Sequence, residues 1–288
     1  MASRKTILVT GATGRQGGAV TRRLIEKGQR VRVMTRSPEK ARGLKRMGAE
    51  VVRADFDDYR TLEKAVKGAR GAFIMSTPYE KGPGTEVEQG RAMVYACLDE
   101  GVQHVVYSSV CCADRDTGIP HFESKHDIEE YIRESGLKYT IVRPVSFMEN
   151  FVSPGVRALL EEGTLSLPLD PETSLQMICV DDIGKFAAEA FLRPDEFAGG
   201  EIDLAGDQRT VKDAVLELSC TMNRPIRYNR IPDDEAEDVL GYDVAVMYGW
   251  LNEDGYDVDI EVLGKRYGIP LTSFSRFLGR SGLFRKAA

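Results

Sequence analysis

The sequence predicts an α/β fold in which a doubly wound parallel sheet carries helices on both faces. Short β-branched runs alternate with helical patterns over residues 1–142, a glycine-rich turn follows the first of these runs, and a helical pattern begins directly after the turn. Strands separated by helices form right-handed crossovers, for which the doubly wound sheet is the simplest topology. Binding chemistry is therefore expected at the carboxyl edge of the sheet.

Six strands are predicted in this part of the chain, at Thr6–Thr10, Arg30–Met34, Glu50–Arg53, Gly71–Met75, Val102–Ser108 and Tyr139–Val142. After Arg143 the alternation weakens, although a helix is predicted after Val180 and a strand near Glu201–Leu204. We therefore predict a ligand-binding Rossmann domain over 1–150 and a smaller substrate or partner lobe over 151–288. Met177–Val180 is a candidate to return a strand from that lobe to the main sheet.

The composition is that of an ordinary folded protein. The chain has 39 Lys and Arg residues against 45 Asp and Glu, a net charge of −6, which disfavours nucleic acid as the primary ligand. No run approaches the apolar length of a transmembrane helix, so no membrane association is expected. The five cysteines are irregularly spaced and the three histidines form no known zinc pattern, so we expect no metal and a reducing, cytoplasmic location.

The turn after the first strand has the pattern of a phosphate-binding site. Gly11, Gly14 and Gly17 follow the strand at once and open the first helix. The first glycine permits a tight turn, the second a close approach to a pyrophosphate, and the third close packing of helix on strand. Thr13, Arg15 and Gln16 complete the turn, whose G-x-x-G-x-x-G spacing resembles the extended and atypical short-chain dehydrogenases/reductases.

The end of the second strand predicts which nicotinamide cofactor binds. NAD-binding chains usually carry an acidic residue there, which accepts from the ribose 2′-hydroxyl. This chain has Arg36 instead, and a guanidinium suits a 2′-phosphate. Arg15 and Lys40 can add positive charge, so NADP(H) is predicted rather than NAD(H), the alternative being a solvated basic loop.

Two later segments complete the predicted cofactor site. Asp55 and Phe56 follow the third strand, where a carboxylate can accept from the adenine amino group; alternatively, Asp55 forms a local turn or helix cap. Thr77 follows the fourth strand at the same edge of the sheet.

Several further motifs identify the chain as a member of the NmrA-like family of atypical short-chain dehydrogenases/reductases. They are the glycine turn, Thr35-Arg36, His121–Lys125, Ile128–Tyr131 and Arg143–Asn150. The likeness extends to a human member of the family that senses NADPH. The resemblance implies that Lys125 binds the nicotinamide ribose and that Phe147–Asn150, including Phe147 and Asn150, line the nicotinamide end.

The catalytic positions differ from those of the superfamily. Its usual pair is Tyr-x-x-x-Lys, and here His121 stands at the tyrosine position before Lys125. A histidine four residues from a lysine shares its helix face and can exchange a proton near neutral pH. The alternative is a polar residue at the helix start. The usual serine falls at Val110, with Ser108 and Ser109 as neighbours.

The predicted cofactor site and the altered catalytic positions are consistent with two functions. The favoured one is a protein that senses the NADPH/NADP⁺ balance and regulates a protein partner, because the tyrosine is replaced. The alternative is an NADPH-dependent oxidoreductase of a quinone or small carbonyl compound, with Lys125 and His121 as catalytic candidates. A sugar-nucleotide epimerase is disfavoured, since it requires the tyrosine. Cys111 and Cys112 are interpreted as buried residues or, alternatively, as oxidant-sensitive thiols.

Overall fold

A computed structural model describes residues 6–283, which divide into two compact units. Within that range the first unit contains the chain up to Asp116, Pro120–Arg143 and Ile183–Asp203. The second contains Thr117–Ile119, Pro144–Asp182 and the chain from Leu204 onwards. The chain therefore leaves the first unit after Arg143 and returns to it for two helices and a strand.

The strands of the described range are β1 (Thr6–Val9), β2 (Val31–Thr35), β3 (Glu50–Arg53), β4 (Ala69–Ile74), β5 (His104–Ser108), β6 (Tyr139–Pro144), β7 (Ser146–Phe147), β8 (Thr164–Leu167), β9 (Ser174–Ile178), β10 (Glu201–Leu204), β11 (Asp207–Thr210) and β12 (Arg227–Arg230). The α-helices of the same range are α1 (Arg15–Glu26), α2 (Arg42–Arg46), α3 (Tyr59–Val66), α4 (Pro83–Asp99), α5 (Pro120–Glu134), α6 (Pro154–Glu162), α7 (Val180–Leu192), α8 (Pro194–Phe197), α9 (Val211–Met222), α10 (Asp233–Leu240), α11 (Tyr242–Glu253), α12 (Ile260–Tyr267) and α13 (Phe274–Leu278). All six strands predicted for the first part of the chain occur, β3 with the predicted ends and the others with ends shifted by at most two residues.

The main sheet confirms the predicted doubly wound fold. Its seven strands lie in the order β10-β6-β5-β4-β1-β2-β3, and the strand pairs from β3 to β6 are parallel. Backbone hydrogen bonds from Ile141 to Gly200 and from Val145 to Leu204 continue the parallel arrangement to β10. The strand order reverses between β1 and β4, and this reversal opens a crevice at the carboxyl ends of the strands.

The core of the first unit follows from the composition of its central strands. Ile7, Leu8 and Val9 of β1 and Phe73 of β4 are fully buried, as expected for a parallel sheet covered on both faces. α1 contributes a buried stripe that includes Leu24. This packing holds the strand ends, and therefore the crevice, in fixed positions.

A buried ion-pair network ties α5 to the strands at one side of the sheet. Arg143 of β6, 4% exposed, donates to both carboxylate oxygens of fully buried Glu129 at 2.9 and 2.6 Å. It also donates to Asp114 at 2.9 Å and to Glu201 of β10 at 2.7 Å. These bonds satisfy charges that would otherwise be costly to bury.

The second unit contains two small sheets. β7, β9 and β11 form one, in the order β11-β9-β7, and β8 pairs with β12 in the other. The prediction that Met177–Val180 returns to the main sheet is wrong, because β9 pairs with β11 and β7; β10 joins the main sheet instead. Between residues 6 and 283, no helix is both long and apolar enough to cross a lipid bilayer.

Candidate functional site

The turn after β1 requires its three glycines to different degrees. Gly11 has φ +59°, in the left-handed region that glycine adopts without strain. A Cβ on Gly17 would lie 2.4 Å from the carbonyl oxygen of Thr10, so a side chain there would push the helix off the strand. A Cβ on Gly14 would lie 3.2 Å from the Gly11 oxygen, a much milder conflict. Packing therefore dictates Gly17 far more strongly than Gly14.

The first turn of α1 is suited to an anion. Its N-cap residue, Gly14, provides no side-chain cap, and the turn contains no acidic residue. The backbone N–H groups at such a helix start lack intrahelical acceptors, and the helix dipole adds positive potential. Arg15, exposed at the same position, adds a full positive charge. Together these groups form a favourable environment for a phosphate.

Two side-chain contacts fix the turn against neighbouring strands. The Thr10 hydroxyl donates to the carbonyl oxygen of Met75 at 3.1 Å and accepts from the Met75 N–H at 2.8 Å. At the end of β5, the Ser108 hydroxyl donates to Oε1 of Gln16 at 2.6 Å. The glycine turn is therefore bonded to the ends of both β4 and β5.

A cleft opens beside the turn, at the carboxyl ends of β1 to β4. It is lined by Gly11, Thr13, Gly14, Met34, Thr35, Arg36, Ala54, Asp55, Phe56, Met75, Ser76, Thr77, Glu80, Lys81 and Gln89. Seven of these were predicted from the sequence to contact the cofactor: Gly11, Thr13, Gly14, Arg36, Asp55, Phe56 and Thr77. The fold thus brings residues from four separate strand ends to one cleft.

Other predicted site residues lie elsewhere. Lys40 is exposed on the 3₁₀ turn Pro38–Ala41 and does not line the cleft. Gln16 is the second residue of α1, directly after Arg15. Phe147, in β7, and Asn150, exposed in the following 3₁₀ segment, belong to the second compact unit.

Ion pairs join three of the loops that line the cleft. Nη2 of Arg36 lies 2.7 Å from Oε1 of Glu80, so this pair links the end of β2 to the loop after β4. The hydrogen bond between them raises the pKa of Arg36 and lowers that of Glu80. Asp57, after β3, pairs with Lys81 and accepts from Gln89 at 2.8 Å. Hydrogen bonds from Lys81 and Gln89 lower the pKa of Asp57.

Asp55 lines the cleft and also shapes its own loop. Its Oδ1 accepts from the N–H of Asp57 at 3.2 Å, which is the contact of an Asx turn. Phe56 beside it is half-buried. The local-turn interpretation of Asp55 and the cofactor interpretation are therefore compatible, because the same carboxylate borders the cleft.

Lys125 is the centre of a buried polar cluster. Its Nζ donates to Oε1 of Glu86 at 2.6 Å and to the backbone oxygen of Ser76 at 3.3 Å. The Glu86 carboxylate, 1% exposed, also accepts from the Ser124 hydroxyl at 2.6 Å and from the Ser76 hydroxyl at 3.1 Å. Since Ser76 lines the cleft, the ammonium group lies one residue behind the cleft wall.

His121 shares the buried face of α5 with Lys125. The histidine is 6% exposed and packs edge-on against Phe122, with ring centroids 4.8 Å apart. Its ring also lies 6.1 Å from that of Tyr79, which is 70% exposed in the loop after β4. The tyrosine position of the superfamily is thus occupied by a mostly buried imidazole in contact with a loop of the cleft.

The segment after β5 is also buried. Ser108 is engaged with Gln16, and Ser109 is 3% exposed. Sγ of Cys111 lies 3.6 Å from Sγ of Cys112, whose backbone has φ +65°. The contact with Cys112 and burial raise the pKa of Cys111 strongly, which disfavours the reactive thiolate. The structural interpretation of both cysteines is therefore the better supported one.

The sequence analysis did not identify two acidic residues of the site, Glu86 and Glu80. Glu86 lies on the buried side of α4 with Gly90, Met93 and Cys97, so an acid within an apolar stripe was the available signal. Glu80 had no comparable signal, because its partner Arg36 lies 44 residues away.

The comparisons with known proteins agree with this architecture. The family model described as "NmrA-like family" matches residues 3–277 of the chain. The chain is 31% identical over 283 residues to the "NmrA-like family domain-containing oxidoreductase FrzB" of Cladobotryum sp, covering 86% of this chain and 84% of the relative. It is 28% identical over 235 residues to the "NAD(P)H azoreductase" of Xenophilus azovorans, covering 81% of this chain and 80% of the relative.

A solved structure of similar fold is that of triphenylmethane reductase from Citrobacter sp., complexed with NADP(H). The superposition has a TM-score of 0.83 and covers 96% of this chain and 99% of the reductase, at 23% sequence identity. At this level of identity the likeness concerns the fold.

Proposed function

This chain belongs to the NmrA-like family, and we propose that it is an NADPH-dependent oxidoreductase acting on a quinone or small carbonyl compound. The observation that carries its cofactor is the cleft in which an uncapped, glycine-rich helix start and Arg36 lie at one sheet edge. Such a pair of anion sites matches the pyrophosphate and 2′-phosphate of one cofactor molecule.

The residues of the cleft fit NADP(H) in their chemistry. The turn from Gly11 to Gly17, with the first N–H groups of α1, would hold the pyrophosphate, since glycines and an uncapped helix allow close approach. Arg36 would hold the 2′-phosphate, and Asp55 with Phe56 the adenine. Lys125, bonded to the backbone of Ser76 in the cleft wall, would bind the nicotinamide ribose.

The proposed reaction needs a proton donor from the chain. When bound, NADPH supplies a hydride, and reduction of a quinone or carbonyl then requires one proton for each hydride. His121 is the first candidate donor, because an imidazole transfers protons near neutral pH and this one contacts the cleft loop through Tyr79. Lys125 is the second, although its ammonium group is held by buried Glu86.

The relatives support a reductase in general terms. Those compared above are described as an oxidoreductase and an NAD(P)H azoreductase, and the chain aligns with each over at least four fifths of its length. For this chain we propose only a substrate class, electron-poor molecules that accept a hydride.

The experiment is to mix the purified protein with NADPH and a simple quinone and to follow NADPH fluorescence. We expect an initial change on binding, then steady consumption above the uncatalysed rate. His121→Gln is expected to slow consumption about 100-fold or more with little change in NADPH affinity. His126→Gln, a half-exposed histidine on the same helix, is the matched control. Binding without consumption across several quinones and carbonyl compounds would overturn the reductase proposal.

A second candidate function is favoured by the buried cluster around Lys125. The lysine is already ion-paired with Glu86, and no tyrosine stands at position 121, which suits a protein that binds NADP(H) without turnover. Such a protein would report the NADPH/NADP⁺ balance to a protein partner in the cytoplasm. Binding without consumption, together with partner capture that depends on the redox state of the cofactor, is the result expected for this function.

A further inference from the structure

The loop between β4 and α4 lines the cleft and is joined to neighbouring loops by charged side chains. Glu80 of this loop pairs with Arg36 at 2.7 Å, and Lys81 pairs with Asp57. All four side chains are substantially exposed, between 41% and 55%. The pairs are therefore held by electrostatics at a water-accessible surface and can be exchanged at small free-energy cost.

Arg36 presents to Glu80 the same group that a 2′-phosphate requires. Nη2 of the guanidinium donates to Oε1 of the carboxylate, and the pair shifts both pKa values in the direction that keeps each group charged. A phosphate dianion bound to that guanidinium would lie beside the Glu80 carboxylate. Two anions at that separation repel, so Glu80 in the observed arrangement opposes binding of the phosphate to the guanidinium.

We propose that Glu80 competes with the cofactor 2′-phosphate for Arg36 and is thereby a specificity-determining residue. The inference rests on the proposed NADP(H) site. A cofactor with a free 2′-hydroxyl leaves the Arg36–Glu80 pair in place, whereas a 2′-phosphate on Arg36 is repelled by the Glu80 carboxylate. The preference for NADPH over NADH is therefore smaller than Arg36 by itself would give. Only the phosphorylated cofactor weakens the Arg36–Glu80 pair, while the Lys81–Asp57 pair still holds the loop.

The test compares dissociation constants for NADPH and NADH, measured by cofactor fluorescence at fixed low salt. Glu80→Gln is expected to tighten NADPH binding about 3- to 10-fold and to change NADH binding less than about 2-fold. Glu88→Gln, an exposed glutamate on α4, removes the same charge away from the Arg36 pair and is the control. In the Arg36→Ala background, Glu80→Gln is expected to change NADPH binding less than about 2-fold.

The outcomes separate this inference from the cofactor proposal. If Arg36→Ala weakens NADPH selectively but Glu80→Gln does not tighten it, competition by Glu80 is excluded while the NADP(H) site stands. Equal tightening by Glu88→Gln would assign the effect to net charge and likewise exclude competition. If Glu80→Gln weakens NADH instead, Glu80 binds the ribose hydroxyl and the inference is wrong. If Arg36→Ala leaves NADPH binding unchanged, the proposed cofactor site itself fails.

Discussion

Gly14 and Gly17 belong to one motif, but a side chain would be far more costly at Gly17 than at Gly14. A side chain at Gly17 collides with the backbone of Thr10 at 2.4 Å, whereas one at Gly14 meets the Gly11 oxygen at 3.2 Å. Gly17→Ala is therefore expected to lower the free energy of unfolding by about 3 kcal/mol or more, and Gly14→Ala by about 1 kcal/mol.

For NADPH affinity we expect the opposite order: among protein that is folded, Gly14→Ala weakens binding more than Gly17→Ala does. Gly14→Ala places a methyl group where the pyrophosphate approaches the backbone, so we expect the dissociation constant to rise about 10-fold in a folded protein. Urea unfolding and cofactor titration of both variants check this. A Gly14→Ala protein that binds NADPH normally would contradict the assigned role of the turn.

Lys125 and Glu86 combine a structural and a binding role that two variants can separate. Lys125→Met leaves the fully buried Glu86 carboxylate unpaired, so we expect a loss of about 3 kcal/mol in unfolding free energy and weaker NADPH binding. The double variant Glu86→Gln with Lys125→Met removes both charges and should regain most of the stability but not the affinity. Recovery of both would mean that Lys125 acts on the cofactor only through the fold.

At the scale of the element, a buried histidine of β5, His104, makes the free energy of unfolding depend on pH. His104, 6% exposed, contacts Thr140 of β6 at 2.9 Å and packs against Phe191 of α7. Burial, with Lys138 and Arg70 adding to the effect, lowers the pKa of His104 from 6.5 to about 4. The unfolded chain then binds the proton more readily, so the stabilisation is complete above pH 6.5 and is lost as the pH falls towards 4.

This predicts a specific acid response. Between pH 7.5 and pH 5, His104 should account for about 2 kcal/mol of lost unfolding free energy. His104→Gln is expected to remove that part of the pH dependence, and His126→Gln to leave it in place. Urea unfolding at the two pH values measures the difference, and an unchanged pH slope in His104→Gln would refute the assignment.

For the whole molecule, cofactor binding and folding are linked. A ligand that binds only the native state, at a free concentration of about 100 times its dissociation constant, adds about 2.7 kcal/mol to the unfolding free energy. For a chain of 288 residues that corresponds to a rise in Tm of about 4–5 °C. We expect NADPH to give this rise in the wild type, and Arg36→Ala to require a much higher NADPH concentration for the same rise. Equal shifts with NADH and NADPH at equal concentrations would contradict the role of Arg36.

Much of the site was predictable because its residues follow strands in sequence. Gly11, Arg36, Asp55 and Thr77 come after β1, β2, β3 and β4, and parallel strands place their carboxyl ends at one edge. The partners of these residues were not predictable. Glu80 pairs with Arg36 across a sequence separation of 44 residues, and Glu86 pairs with Lys125 across 39 residues. Local sequence patterns do not indicate which residues pair over such separations.

The sequence by itself therefore determined the doubly wound sheet, the glycine turn and the arginine at the end of β2. Each of these features depends on residues that are close together in the chain, through hydrophobic periodicity or local steric requirements. Only the tertiary structure decided that β10 rather than β9 extends the main sheet, that Lys125 is ion-paired behind the cleft wall, and that Glu80 occupies Arg36. These depend on long-range packing, in which pairing energies between distant segments select one arrangement among several that the local pattern allows.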